Sequence, residues 1–262
     1  MSQTHVRMEI GERVAYLTLA RPEHGNALTV EMAEELAEAA ARVADAPGVG
    51  AVLLSGEGPT FCVGGDVKSF SRQGDRLSEY LRPTATALHL AVSRLARLDL
   101  PLVAAVQGAA AGAGMSLACG ADFVIAADTA RFTMAYTKIG LSVDGGSSYF
   151  LPRIVGMRRT VELMLTNRVL SADEACAWGI VTRVVPAADL AKEARTLATS
   201  LASGATRALR AAKRLVREGW NESLETQLEQ ETREIVEAGR SADGREGIRA
   251  FVEKRVPRFC GE

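Results

Sequence analysis

An α/β fold with a helical C-terminal region is predicted by three features of the 262-residue chain. Strand-like and helix-like runs alternate from Val6 to Val185, which argues for parallel strands joined by crossover helices. A stretch without charge, Leu100 to Ala121, lies in the middle of that alternation. After Pro186 the pattern is helical to the end. At 47% hydrophobic residues the chain can bury one substantial core. With only 5% aromatics, that core must be built from Ala, Leu and Val.

The first element is a hairpin of Val6–Ile10 and Val14–Ala20, with Gly11-Glu12 expected to make the turn. Thr29 then opens an Ala/Glu-rich helix that places Met32, Leu36 and Ala40 on one face. Strand Val49–Leu54 leads into a Gly-rich loop from Ser55 to Gly65. A helix near Ala85–Leu98 aligns Leu88, Val92 and Leu95. The uncharged stretch has the length of a membrane span, with Gly108 and Gly112 in a GxxxG pattern. Pro101, Gln107, Ser116 and four glycines disfavour a continuous apolar helix there. It reads instead as strand Leu102–Val106, a Gly/Ala turn and a buried helix, followed by strand Phe123–Ala126. Ser171 and Glu174 form a capping box. A short strand, Ile180–Val185, precedes the helical region, whose stripes are Leu190, Ala194, Leu197 and Leu201, then Leu224, Leu228 and Ile235.

Charge and cysteine usage narrow the function class. Lys and Arg number 31 against 32 Asp and Glu, so neither nucleic acid nor a membrane surface is an expected partner. Cys62, Cys119, Cys176 and Cys260 make no CxxC pair, and His5, His24 and His89 stand at no metal-ligand spacing. No metal site is expected. The segment Met1–Gly11 lacks the apolar run of a signal peptide, and with reduced thiols this points to a cytoplasmic location.

Three segments carry candidate chemistry. Thr60-Phe61-Cys62-Val63-Gly64-Gly65-Asp66-Val67-Lys68 is a turn whose bare N–H groups can donate to an anionic oxygen, with Asp66 equally suited to cap a helix. Val106-Gln107-Gly108-Ala109-Ala110-Ala111-Gly112-Ala113-Gly114-Met115-Ser116 lets backbones approach closely at a helix start. Lys138-Ile139-Gly140-Leu141-Ser142-Val143-Asp144-Gly145-Gly146 places Asp144 where a helix begins, as a catalyst or as an N-cap. Local pattern alone does not separate those two roles.

Together with Arg21-Pro22, Asn26-Ala27-Leu28-Thr29 and Phe251-Val252-Glu253-Lys254-Arg255, these ordered segments resemble the crotonase family, enoyl-CoA hydratase/isomerase, over essentially the whole length. The resemblance implies a ββα-spiral core in residues 1–195 and a helical C-terminal trimerisation region in residues 196–262. It also implies an acyl-CoA thioester substrate, with coenzyme A part of that substrate and no separate cofactor. The expected assembly is a homotrimer or a dimer of trimers.

By the same resemblance, the N–H groups of Gly65 and Ala113 polarise the thioester carbonyl and stabilise an enolate. Ala27, Gly65, Asp66, Val67, Lys68 and Ala113 fall at positions that contact coenzyme A, as do Phe251 and Lys254, often from a neighbouring subunit. Ser116 and Tyr136 stand where hydratases carry two glutamates, and neither is a carboxylate base near neutral pH. Asp144 replaces them as a single acid/base, the arrangement of the isomerase branch, including ring-epoxide phenylacetyl-CoA isomerases. A hydratase with non-standard catalytic residues and a non-catalytic acyl-CoA-binding protein are the alternatives. A serine hydrolase built on Ser116 is a further rival, although Ala118 replaces the second glycine of its elbow motif. Tyr136, Phe70 and Tyr80 are candidates for lining the acyl pocket.

Overall fold

The structure is a computed structural model that describes residues 4–261. Strands β1 (Val6–Gly11) and β2 (Val14–Leu19) pair antiparallel, with Gly11 opposite Val14 inside the ladder. The turn is therefore Glu12-Arg13 rather than Gly11-Glu12. Both residues are left-handed (φ 52° and 62°), the geometry that matches strand twist in a two-residue hairpin.

Thr29 accepts a hydrogen bond from the Met32 N–H and starts α1 (Val30–Ala44), whose Met32, Leu36 and Ala40 are buried as their spacing predicts. After β3 (Ala51–Gly56), the Gly-rich loop leads into the short helix α2 (Val67–Ser71) and then α3 (Leu77–Arg97). Helix α3 begins eight residues before the expected Ala85 and runs through Pro83. Proline removes a helix donor there, while the Thr84 and Thr86 hydroxyls donate to the carbonyls of Tyr80 and Arg82. The uncharged stretch becomes β4 (Leu102–Val106), β5 (Ala109–Ala111) and the wholly buried α4 (Ala113–Gly120). No helix among the described residues is long and apolar enough to cross a membrane.

Next come β6 (Phe123–Ala127), β7 (Arg131–Thr133), α5 (Ser147–Val155), α6 (Met157–Thr166), β8 (Leu170–Ser171), α7 (Ala172–Ala177) and β9 (Arg183–Val185). The capping box of Ser171 and Glu174 opens α7. Strands β1-β2-β3-β4-β6-β9 form one sheet, parallel beyond β2, and β5-β7-β8 form a second. From β4 onward each turn of chain gives one strand to each sheet. Isolated bridges Leu28–Gly65 and Cys62–Ala110 extend the second sheet toward the N-terminal half. This is a ββα spiral.

Both faces of the large sheet are covered, which is why its central strands β4 and β6 are apolar throughout. Leu102, Ala104 and Val106 of β4 face α1, α3 and α4, whereas Val103 and Ala105 face α8 (Leu190–Ala202). Helix α8 presents Leu190, Ala194, Ala198 and Ala202 to the sheet. The 195/196 boundary drawn from the sequence falls inside α8, which packs as one piece on the sheet. Helices α9 (Thr206–Glu218), α10 (Leu224–Arg240) and α11 (Ala242–Val252) follow. Lys213 of α9, almost fully buried, and Arg217 both pair at 2.7 Å with Asp122, whose carboxylate also accepts the Leu102 N–H. Burial pushes the Lys213 ammonium below its ordinary range. Leu224 and Ile235 of α10 remain 68% and 74% exposed.

Candidate active site

The site lies where the Gly-rich loop, the α4 N-terminus and the Asp144 loop meet. Asn26, fully buried and left-handed, donates to the carbonyls of Glu57 and Thr60 and accepts from the Arg21 N–H. Arg21 in turn donates to the carbonyl of Ala27 and pairs with Asp66 at 3.4 Å. These two residues hold the Ala27 strand against the loop that follows β3. That is the structural work of the Arg21-Pro22 and Asn26-Ala27-Leu28 segments.

The loop then turns at Gly64, whose φ of 97° excludes a side chain. A β carbon there would lie 2.9 Å from the Ala111 carbonyl oxygen and 3.4 Å from the Ala113 amide nitrogen. Leu28 N–H donates to the Gly64 carbonyl and Asp66 N–H to the Leu28 carbonyl, leaving Gly65 N–H between them without an acceptor among the described residues. Ala113 is the first residue of α4, so its N–H has no intrahelical partner. Two backbone donors thus converge on one cavity. Burial pushes the thiol of neighbouring Cys62 up to about 12, so it is not a nucleophile near neutral pH.

The cavity measures about 370 Å³ and is mostly apolar. Its floor holds Gly64, Gly65, Gly112 and Ala113; its walls include Leu28, Phe70, Leu81, Leu88 and Val143. Asp144 is the one carboxylate among the described residues that line it. The N-cap of α5 is Gly146, not Asp144. Asp144 instead accepts a 2.6 Å hydrogen bond on Oδ1 from the Tyr136 hydroxyl, and its Oδ2 accepts none from the described residues. Burial, then the Asp144 charge, push the Tyr136 hydroxyl far above its ordinary range, so it stays a donor. Ser116, fully buried, contacts the Tyr136 hydroxyl (3.2 Å) and the carbonyls of Gly112 and Asp144. No histidine is among its hydrogen-bond partners.

Of the residues singled out in the sequence, Gly65, Val67, Ala113 and Asp144 line the cavity, together with Tyr136 and Phe70. Ala27, Asp66 and Lys68 flank lining residues without lining it. Asp66 caps α2 through the Ser69 N–H, the role Asp commonly plays at such turns. Tyr80 packs edge-on against Phe70 from behind, at 6.0 Å between ring centres. Phe251 and Lys254 stand exposed at the end of α11, away from the cavity wall of their own chain. Sequence reasoning missed His89, which accepts the Gly145 N–H on Nε2 (3.3 Å) beside Asp144, and the α3 wall of Leu81, Thr84 and Ala85. The Leu88 stripe pointed to α3, but as packing rather than as pocket. Among the described residues no group of His, Cys, Asp and Glu is arranged to hold a metal ion.

The family model described as enoyl-CoA hydratase/isomerase matches residues 9–262. The chain belongs to the enoyl-CoA hydratase/isomerase family. It is 41% identical, over the full length of both chains, to a Rhodobacter capsulatus protein named "Probable enoyl-CoA hydratase". It is 40% identical, over 95% of each chain, to 1,2-epoxyphenylacetyl-CoA isomerase of Escherichia coli K12. A solved enoyl-CoA hydratase from Polaromonas superposes with a TM-score of 0.92 at 35% identity, covering 97% of this chain and 99% of that one. The crotonase fold is thus shared, and the chain is an enzyme of the hydratase/isomerase family. In this chain the cavity side of that fold carries the hydrogen-bonded cluster of Ser116, Tyr136 and Asp144.

Proposed function

We propose that this enzyme shifts a proton, and with it a double bond, within an enoyl-CoA or ring-epoxide aryl-acetyl-CoA thioester, using Asp144 as its single acid/base. The observation that carries this reading is the placement of one carboxylate opposite two N–H groups that have no other acceptor. Asp144 Oδ2 takes a proton from a carbon near the thioester, and the C–H electrons move onto the carbonyl oxygen. Gly65 and Ala113 N–H stabilise that oxygen, an effect worth about 3–4 kcal/mol per preorganised donor. The half-buried carboxyl trades its proton with solvent between the two steps and returns a proton at another carbon of the enolate, so no water, oxidant or separate cofactor is consumed. One base suffices.

The coenzyme's phosphates fit beside Lys68, exposed after the loop, while Phe251 and Lys254 reach the site of a neighbouring subunit in a trimer or dimer of trimers. The exposed stripe of α10 supports such an assembly. The test is turnover of a panel of enoyl- and aryl-acetyl-CoA esters followed by mass spectrometry. A product of unchanged mass supports isomerisation; a gain of one water supports the hydratase reading that the R. capsulatus relative's name suggests. Tight binding without turnover of any ester makes it a binding protein.

A further inference from the structure

We propose that Tyr136 is the positioning residue of this site, holding Asp144 Oδ1 so that Oδ2 alone faces the substrate as proton acceptor. The inference rests on the Asp144 reading above and extends it to a residue outside the proton transfer itself.

A tyrosine has one hydroxyl proton and here three oxygens within reach: Asp144 Oδ1 at 2.6 Å, Ser116 Oγ at 3.2 Å and the Asp144 carbonyl at 3.4 Å. The short contact to a carboxylate oxygen takes the proton, because charge-assisted bonds are the strongest of the three. Ser116 also has one hydroxyl proton, for which the Asp144 carbonyl (3.1 Å), the Gly112 carbonyl (3.2 Å) and the Tyr136 oxygen (3.2 Å) compete, so the fixed direction in this cluster is Tyr136 to Asp144. A phenol cannot replace a carboxylate base, but it can fix which oxygen of the carboxylate is free.

The backbone is built to aim this ring. Ala135, which precedes it, is left-handed (φ 55°), a conformation an alanine adopts only where its surroundings enforce it. The Tyr136 carbonyl accepts from both Ile139 and Leu141 N–H, and its own N–H donates to the Met134 carbonyl. The ring closes against Gly112, where a β carbon would lie 3.8 Å from Cζ. Asp144 sits on a loop after Gly140 and before two left-handed glycines, Gly145 and Gly146. A carboxylate on such a loop needs a fixed partner to hold one rotamer, and Tyr136 supplies it.

The test is Tyr136→Phe, which keeps the ring and removes the hydroxyl. Expected are a kcat lowered about 10- to 30-fold, KM within about threefold, and an acid limb of the rate profile moved up by about one pH unit. Incorporating 3-fluorotyrosine at position 136, isosteric and a stronger donor, should move that limb the other way. A merely structural ring would leave the limb fixed in both proteins. Unchanged kcat and unmoved limbs, in a wild type that does exchange substrate protons, overturn the proposal and leave the Asp144 reading standing. A wild type that exchanges none overturns the Asp144 reading, and this one with it.

Discussion

The carbonyl oxygen of Cys62 lies 2.1 Å from where a β carbon on Gly114 would have to sit. This contact presses the loop after β3 onto the first turn of α4, the two segments that carry Gly65 and Ala113. Gly114→Ala must push the two segments apart. Because small misplacements of catalytic donors are costly, its turnover should fall about 100-fold or more. Steady-state kinetics alongside a thermal melt measures both the site and the fold.

Ala113→Pro deletes one donor more cleanly. Proline is favoured at the first position of a helix, where its missing N–H has no helical partner. The protein should fold with a melting temperature near that of the wild type, and kcat should fall about 100- to 1,000-fold. A variant with near-normal kcat would remove Ala113 from the oxyanion site.

How much of this was legible beforehand depends on the range of the cause. Thr29, the Ser171–Glu174 box and the β4 run act through neighbours three or four residues away, so pattern located them correctly. The hairpin turn was misplaced by one residue because Gly invites a turn, whereas the ladder register put Glu12 and Arg13 there. Asp66 and Asp144 looked alike in sequence, each before a helix. Only the folded chain tells them apart: Asp66 caps α2, while Asp144 lines the cavity with its carboxylate bonded to the Tyr136 hydroxyl. His89 meets Gly145 across 56 residues of chain, and no local signal marks it or the α3 wall.

The Asp122 cluster makes a stability prediction. Removing its carboxylate leaves the buried Lys213 ammonium without its anion, and breaking a buried pair costs about 3–5 kcal/mol. Asp122→Ala should therefore lower the urea midpoint strongly, whereas Asp99→Ala, whose partner Arg214 also pairs with Glu234, should change it little.

Acid should loosen the C-terminal tail in a defined window. The Arg255 guanidinium, with the Arg258 N–H, holds the Glu246 carboxyl down to about 2, below its ordinary 4.5. A carboxylate with a depressed folded value adds stability that is complete above about 4.5 and lost as pH falls toward 2. The melting-temperature difference between wild type and Glu246→Gln should be constant near neutrality and shrink across that window. A difference that grows on acidification would contradict the pairing.

Assembly is open to a direct check. Leu224, Leu228 and Ile235 leave an apolar stripe on α10 that the chain itself does not cover. Light scattering at micromolar concentration should give a multiple of three chain masses, and Ile235→Asp should reduce it. A monomeric wild type would contradict the trimer.

The central claim, that Asp144 carries a proton between carbons of an acyl-CoA, is tested most directly by deuterium exchange. Wild-type protein in deuterated water, given the acyl-CoA ester it turns over, should place deuterium at the carbons flanking the migrating double bond, as read by NMR of the recovered thioester. Asp144→Asn, nearly the same size and still hydrogen-bonded to Tyr136, should bind the ester with little change and slow that exchange by about 100- to 10,000-fold. Exchange at the wild-type rate in a folded Asp144→Asn protein would contradict the account.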